Sequence, residues 1–417
     1  MALSFSSVRT CESFSIRGLD WAREWTMYDF IIVGARCAGA ATAYFLGQKG
    51  YRTLLIDRYT VPGPTLSTHI LGETGVYERL GIARKMETSG IPALTRMRID
   101  LEGRLFESDI CVTPRALGVR RELLDRWLLD AACGLPEVNA KLSTQVIDLL
   151  EGEDGVCGVR CKLPDGSVET YKARAVIGAD GRHSSVARRV GAETAMASDE
   201  RHLGVYYAYV LHADPLPIPA VEWYWSETDI VLCNPIDGGR HCIAVMLPQE
   251  TFRSWSGDPA TKFVERLSRI RTLGPRLRYA RLQGSVRGVD TLRSYVRKPF
   301  GPGWVLVGDA GAHLHPVSGV GIDNAVCSAE MLAEELDAYM RGERTWTEAM
   351  SAYTERRDER IIPQYEACLK TLARAGQPIP EAHWPTLDVL CTFPGLVKEL
   401  GGRAERIYTL LTEENEP

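Results

Sequence analysis

The residues best suited to chemistry fall in three short stretches, far apart in a chain of 417 residues. The first is Gly34-Ala35-Arg36-Cys37-Ala38-Gly39, between an apolar run and a segment of small residues. A glycine turn that opens a helix aims backbone N–H groups at a phosphate, and Gly39 allows close helix–sheet packing. Arg36 stands where a GxGxxG fingerprint has its middle glycine, and it offers a cation to the same phosphate. Asp57 follows Gly34 by 23 residues, near the spacing of a ribose-binding acid, with Arg58 beside it. The second stretch runs from Gly178 through Asp180 and Gly181 to Val186. It can present a carboxylate and two permissive glycines to a ligand edge, or form only a surface turn.

The third stretch, Gly308 to Ala325, says most. Gly308-Asp309 ends an apolar run, a loop carries His313, His315 and Pro316, and Gly319-Val320-Gly321-Ile322 opens a helix. Asp309 can take a ribityl or ribose hydroxyl. The helix start can present N–H groups to a developing negative charge, such as the N1–C2=O edge of a reduced flavin. His69, His313 and His315 are candidates for proton transfer or substrate orientation, because imidazole titrates near neutrality; a structural hydrogen bond is the competing role. Trp223 and Trp225 alternate with Tyr224, so the two indoles share a face that lines an aromatic pocket or joins the core. Tyr206, Tyr207 and Tyr209 pose the same choice. No metal-binding cluster, Ser-His-Asp spacing or nucleophile elbow stands out, which suits a protein whose cofactor carries the chemistry.

The elements that must position these residues read as an α/β fold. Tyr28 to Gly34 is a short buried strand, 38–49 a helix and 51–57 a second strand, which makes a βαβ unit. A helix is expected at 120–132, a hairpin around Pro164-Asp165-Gly166, and antiparallel sheet over 203–212 and 221–247. Further expectations are a helix at 259–272, strand at 283–296 and 304–308, and a long helix over 319–340. The tail from 345 is mostly helical, interrupted by prolines that include Pro363, and RRDER at 356–360 reads as a solvated face.

Composition narrows the class. Hydrophobic residues make up 45%, so a packed core is affordable in entropy terms, and the length favours two domains. The net charge of -5 argues against a nucleic-acid binder. Eleven cysteines without a visible secretion signal indicate reduced thiols and a cytoplasmic location, and Cys157 and Cys161 have no second ligand pair for zinc. No apolar run is long enough to span a bilayer.

The three stretches, in this order, resemble the FAD-dependent monooxygenases of the para-hydroxybenzoate-hydroxylase type, within the glutathione-reductase-like flavoprotein superfamily, over roughly residues 28–340. The resemblance implies a Rossmann-like FAD-binding domain with an inserted antiparallel-sheet substrate domain and a helical C-terminal segment. The limits implied are FAD-binding parts at 27–190 and 290–345, a substrate domain at 191–289 with parts of 70–115, and a C-terminal region at 346–417; residues 1–26, with no hydrophobic signal core, read from the sequence itself as an extension, either a flexible arm or a stretch ahead of a natural start at Met27. It also implies that Arg121 touches the flavin region, with Leu124 and Leu128 completing its pattern, and that Asp180 lies by the FAD pyrophosphate. Asp309 would meet the ribitol, the loop 314–318 the isoalloxazine, and His69 the flavin vicinity.

The implied activity is a monooxygenase using NADPH or NADH and O2 to hydroxylate or epoxidise a small aromatic, polyketide or terpenoid-like substrate through a flavin C4a-hydroperoxide. The partners are then that substrate, NAD(P)H and O2, with no nucleic acid and a monomer or homodimer. Departures from the pattern are Arg36, Asp323 where many members have Asn, and Gly311-Ala312-His313 in the loop. They bring two alternatives into range: a reductase or desaturase of the geranylgeranyl-reductase type, through Pro316-Val317-Ser318-Gly319-Val320-Gly321, and a flavin-dependent halogenase, whose WxWxIP segment is missing here.

Overall fold

The computed structural model describes residues 27–392 apart from 64, 66, 73, 111–115, 199–202, 227 and 376. The extension at 1–26 and the tail beyond 392 lie outside the described residues.

Five parallel strands form the heart of the first sheet, in the order Trp304–Leu306, Val168–Gly178, Met27–Val33, Thr53–Ile56 and Val138–Lys141. Phe30, Ile31 and Ile32 are fully buried, as expected of a strand covered on both faces. Gly155–Lys162 folds back antiparallel on the first half of Val168–Gly178 and Gln145–Gly152 pairs in turn with Gly155–Lys162, and the turn at 163–167 is closed by the Gly166 N–H on the Leu163 carbonyl. One face carries the helices Cys37–Gln48, Arg121–Cys133 and Gly321–Met340. Ala40, Ala41 and Ala43 are fully buried on the first, so small side chains let it ride close to the sheet.

The second sheet has seven strands, in the order Arg281–Val289, Leu203–Leu211, Arg240–Pro248, Ile230–Ile236, Ala220–Trp225, Arg96–Leu101 and Arg104–Asp109. All its pairs are antiparallel except Ala220–Trp225 with Arg96–Leu101. Its front face carries Tyr207, Leu232, Ala244 and Met246, packed with Ala312, Leu314 and Val317 of the third stretch. Its back face carries Tyr206, Val231, Ile243 and Val245 under Phe263, Leu267, Ile270 and Leu273. The fold is therefore the expected one: a Rossmann-like region, an inserted sheet and C-terminal helices.

Details depart from the sequence reading. The strand expected over 283–296 is broken, because Arg281–Val289 joins the second sheet whereas Tyr295–Arg297 pairs in a small sheet with Ala312–His313. Pro363 does not interrupt the tail: the helix Trp346–Arg374 runs through it. Packing against Gly321–Met340 offsets the lost N–H, with Arg360 Nε donating to Asn324 Oδ1 at 2.9 Å and Asn324 Nδ2 to Gln364 Oε1 at 2.6 Å. The 356–360 cluster is not a free solvated face either, since Arg357 is buried and Arg356 pairs with Glu334 and Glu335 on that neighbouring helix. Among the described residues no helix is long and apolar enough to cross a membrane.

Candidate functional site

The three stretches converge where the parallel strands end, and together they line one cavity of about 500 Å³. From the first come Gly34, Arg36, Cys37 and Ala38, joined by Asp57 and Arg58 after the next parallel strand. Asp180 and Gly181 face it from the second, and Asp309, Pro316, Gly319, Gly321 and Ile322 from the third. Arg121 enters from the start of its helix. Gly39, Gly308, Val320, His69 and His315 were expected at the site but are not on the cavity wall.

Gly39 and Gly308 act from behind it. A Cβ at Gly39 would stand 1.7 Å from the Gly34 carbonyl oxygen, and one at Gly308 would stand 2.7 Å from the Ala38 methyl. Gly34 has φ 105° and would drive a Cβ to within 2.4 Å of the Ala179 oxygen. Backbone packing therefore requires these glycines, and it fixes the first stretch against the second. The helix Cys37–Gln48 has no acidic residue in its first turn and no side-chain cap, so its leading N–H groups remain open toward the cavity. Val320 packs instead with the front-face cluster of the second sheet.

The carboxylates hold local structure as well as facing the cavity. Asp57 accepts the N–H groups of Ala35 at 2.8 Å and Tyr59 at 2.9 Å, which locks the turn. Asp180 accepts from Ser184 Oγ and from the N–H and hydroxyl of Ser185, so it sets the start of the short helix Ser185–Arg189. The backbone carbonyl of Asp309 is fixed by the Tyr295 hydroxyl at 2.6 Å. Asp323, the departure at the third helix start, accepts the Gly72 N–H and the Tyr77 hydroxyl, each at 2.8 Å. An amide could not make that double acceptance equally well.

Sequence reasoning missed Asp125. Its side chain is fully buried and pairs with Arg121 at 3.0 Å, while Cys37 Sγ donates to it at 3.0 Å. Burial opposes the charge of Arg121, yet the adjoining Asp125 outweighs the loss and holds the guanidinium above its ordinary pKa. Burial pushes the Cys37 thiol well up, so it stays protonated. The four-residue spacing from Arg121 on one helix was a legible signal for the pair. Arg182, His183 and Arg188 also line the cavity.

His69 is fully buried, with φ 64°. Its Nδ1 accepts the Arg121 N–H at 3.2 Å, and its Nε2 meets the Tyr209 hydroxyl at 2.9 Å. An acceptor at Nδ1 puts the single hydrogen of the neutral ring on Nε2, so Tyr209 accepts there and keeps its own O–H to donate. Burial first, then Arg121 and Arg120, depress this imidazole to about 3. A histidine free in the unfolded chain takes its proton near 6.5, so stability from this group is complete above that pH and declines as pH falls toward 3. Urea unfolding of His69→Gln is expected to show a flatter pH dependence over that window, with the wild-type slope returning if another group is responsible. His315 is likewise fully buried: Nδ1 accepts the Val317 N–H and Nε2 donates to the Leu203 carbonyl. Both rings thus serve as internal struts, because each nitrogen is occupied by the protein itself.

His313 does line the cavity, with Nδ1 2.9 Å from the Arg293 carbonyl and its ring stacked on Tyr295. Trp223 and Trp225 pack into the front-face cluster and do not line the cavity; Tyr224 is buried on the back face. Tyr206, Tyr207 and Tyr224 are core, and the two indoles lie half-buried against it.

The residues present fit FAD. Arg36, Arg58, Arg121, Arg182, Arg188 and Arg189 share the cavity wall with the open helix start, which suits a pyrophosphate. A Cβ at Gly319 or Gly321 would meet no protein atom within 4 Å, although both line the cavity, so the loop leaves a space that a flat ring can occupy.

Comparison with known proteins agrees with this geometry. The chain is 26% identical over 355 residues to digeranylgeranylglycerophospholipid reductase 2 of Methanothermobacter thermautotrophicus, covering 82% of this chain and 86% of the relative. It is 27% identical over 343 residues to ubiquinone hydroxylase UbiL of Rhodospirillum rubrum, covering 75% and 73%. Among solved structures it is similar in fold to the flavin-dependent brominase Bmp2, with TM-score 0.75, 19% identity and coverage of 93% and 94%. It is also similar in fold to p-nitrophenol 4-monooxygenase PnpA from Pseudomonas putida, with TM-score 0.77, 16% identity and coverage of 92% and 96%. The family described as FAD binding domain matches residues 27–362, and with the converging stretches already described this chain belongs to that family of FAD-binding oxidoreductases.

Proposed function

We propose that this chain reduces carbon–carbon double bonds in a hydrophobic, isoprenoid-bearing substrate, with NADPH or NADH as the hydride source. The observation that carries this reading is the apolar end of the cavity, where Ile70, Val289, Leu292 and Leu314 line the wall near Pro316. The digeranylgeranylglycerophospholipid reductases among its relatives support the same chemistry. FAD supplies hydride transfer when bound. The protein's residues do the rest. Arg36 and the first-turn N–H groups hold the pyrophosphate, Asp57 the ribose, and Asp309 the ribitol. Arg121, held in place by its ion pair with Asp125, would offer its remaining N–H groups toward the flavin. The loop at Pro316 and the glycines at 319 and 321 admit the ring, and the apolar wall excludes water from it. The substrate unit in this reading is 191–289 with the strands of 96–109.

Hydroxylation with O2 is the second reading, supported by the similarity to ubiquinone hydroxylase UbiL of Rhodospirillum rubrum. Halogenation has less support, since no lysine lines the cavity among the described residues. Oxygen consumption during NADPH oxidation by the FAD-loaded protein separates the readings. Anaerobic turnover that saturates a prenyl double bond, seen by mass spectrometry, supports the reductase. A product formed only with equimolar O2 uptake overturns it in favour of the hydroxylase.

A further inference from the structure

A charge asymmetry far from the cavity is not used by any of this chemistry. Residues 262–281 hold seven cations, at Lys262, Arg266, Arg269, Arg271, Arg276, Arg278 and Arg281, against the single acid Glu265. This stretch alone is six charges positive in a chain whose total is -5, so everything else sums to -11.

The structure divides these cations into two sets. Arg266 and Arg276 turn inward and pair with Asp229 and Glu222, carboxylates that are only 1% exposed. Lys262 pairs with Glu265. Arg269, Arg271, Arg278 and Arg281 are exposed, and none makes an ion pair with a carboxylate among the described residues. Arg271, though exposed, lays its guanidinium along Gly103 and gives one N–H to the Gly103 carbonyl. The segment is a compact, anchored platform rather than a free tail. Leu267, Ile270 and Leu273 are buried behind the second sheet, Gly274 N–H closes onto the Ile270 carbonyl at 2.7 Å, and Arg276 N–H onto the Leu273 carbonyl at 3.0 Å.

The same face also exposes apolar side chains. Tyr279 is 73% exposed, more than any other large apolar side chain in the described residues, and Val264 is 51% exposed. Ile218, 54% exposed, belongs to a loop tied to this platform by Asp214 N–H on the Arg276 carbonyl and Arg276 Nε on the Asp214 carbonyl, both at 2.9 Å. Burying Arg266 and Arg276 in ion pairs keeps two cations out of solvent, while Arg269, Arg271, Arg278 and Arg281 stay exposed along the same segment as Tyr279.

We propose that this platform docks on an anionic phospholipid surface, with the four arginines at the phosphates and Tyr279, flanked by Val264 and Ile218, at the headgroup–acyl boundary. Charge complementarity selects the occupant: an otherwise acidic protein turns one basic face to a negative surface. The aliphatic tips select a bilayer over nucleic acid, whose bases would want several stacking rings rather than isoleucine and valine. The platform lies on the far side of the second sheet from the loop at Pro316, so docking leaves the cavity wall untouched.

The test is co-sedimentation of the full-length, FAD-loaded protein with phosphatidylcholine vesicles, with and without phosphatidylglycerol. The expected result is binding only to the anionic vesicles, weakening as salt rises. Arg269→Glu combined with Arg278→Glu should lower the partition by roughly tenfold or more. Tyr279→Ser should weaken the binding that remains at high salt. Flavin absorbance and melting temperature should not change in either variant, because the replaced side chains are exposed and carry no ion pair. Equal binding to neutral vesicles, unchanged binding of the charge-reversed protein, or retention by heparin without vesicle binding each overturns the proposal.

Discussion

Gly39→Val protein is expected to be produced colourless and poorly folded. The added Cβ would lie 1.7 Å from a backbone oxygen of Gly34, and neither partner can turn away, since both belong to the turn that joins strand to helix. Overpacking of a core by even one group costs about 1–3 kcal/mol when side chains can adjust. Here only the backbone can give, so the cost sits at or above that range, and the helix that offers its N–H groups to FAD must move. Gly321→Ala is the informative contrast. Its Cβ meets no protein atom within 4 Å but enters the cavity. That variant should unfold at the wild-type temperature and still lose FAD on dilution. Flavin fluorescence released during gel filtration, together with melting curves, distinguishes the two; wild-type FAD retention by Gly321→Ala would count against the placement of the cofactor.

The second large effect concerns Arg121. Its guanidinium neutralises Asp125, a carboxylate with no exposure that also accepts from Cys37. Arg121→Met leaves that charge buried and unpaired, at a cost of about 3–5 kcal/mol by comparison with other broken buried pairs. Arg121→Met combined with Asp125→Leu should recover most of the loss, because the desolvated charge goes with its partner. Urea titration reads both numbers. A double variant no more stable than the single would mean that Arg121 acts through packing rather than charge.

Much of this architecture was legible because backbone chemistry leaves a strong imprint on composition. The turn at Gly34, the carboxylates Asp57, Asp180 and Asp309, and the helix start at Gly319 all report local geometry, and local geometry is written in glycine and spacing. The positions of His69 and His315 were not legible in that way. A histidine beside a functional loop looks the same whether its nitrogens face a ligand or a neighbouring strand, and the neighbours here, Tyr209 and Leu203, come from the second sheet. Trp223 and Trp225 were ambiguous for the same reason: alternation shows which residues share a face, not what covers it. The continuous helix through Pro363 escaped because the contacts that stabilise it, at Asn324 and Gln364, join residues 40 apart. Asp125 is the exception, a residue whose spacing from Arg121 was readable and overlooked.

The parallel pairing of Ala220–Trp225 with Arg96–Leu101 has a consequence for how the chain is made. The hairpin 96–109 leaves the ribosome more than a hundred residues before the strand it must join, and the connection between them passes through the nucleotide-binding sheet. Synthesis order therefore differs from assembly order. A fragment cut at 191–289 would expose the unpaired rim of Ala220–Trp225, an adhesive margin that the intact protein covers with its own earlier sequence.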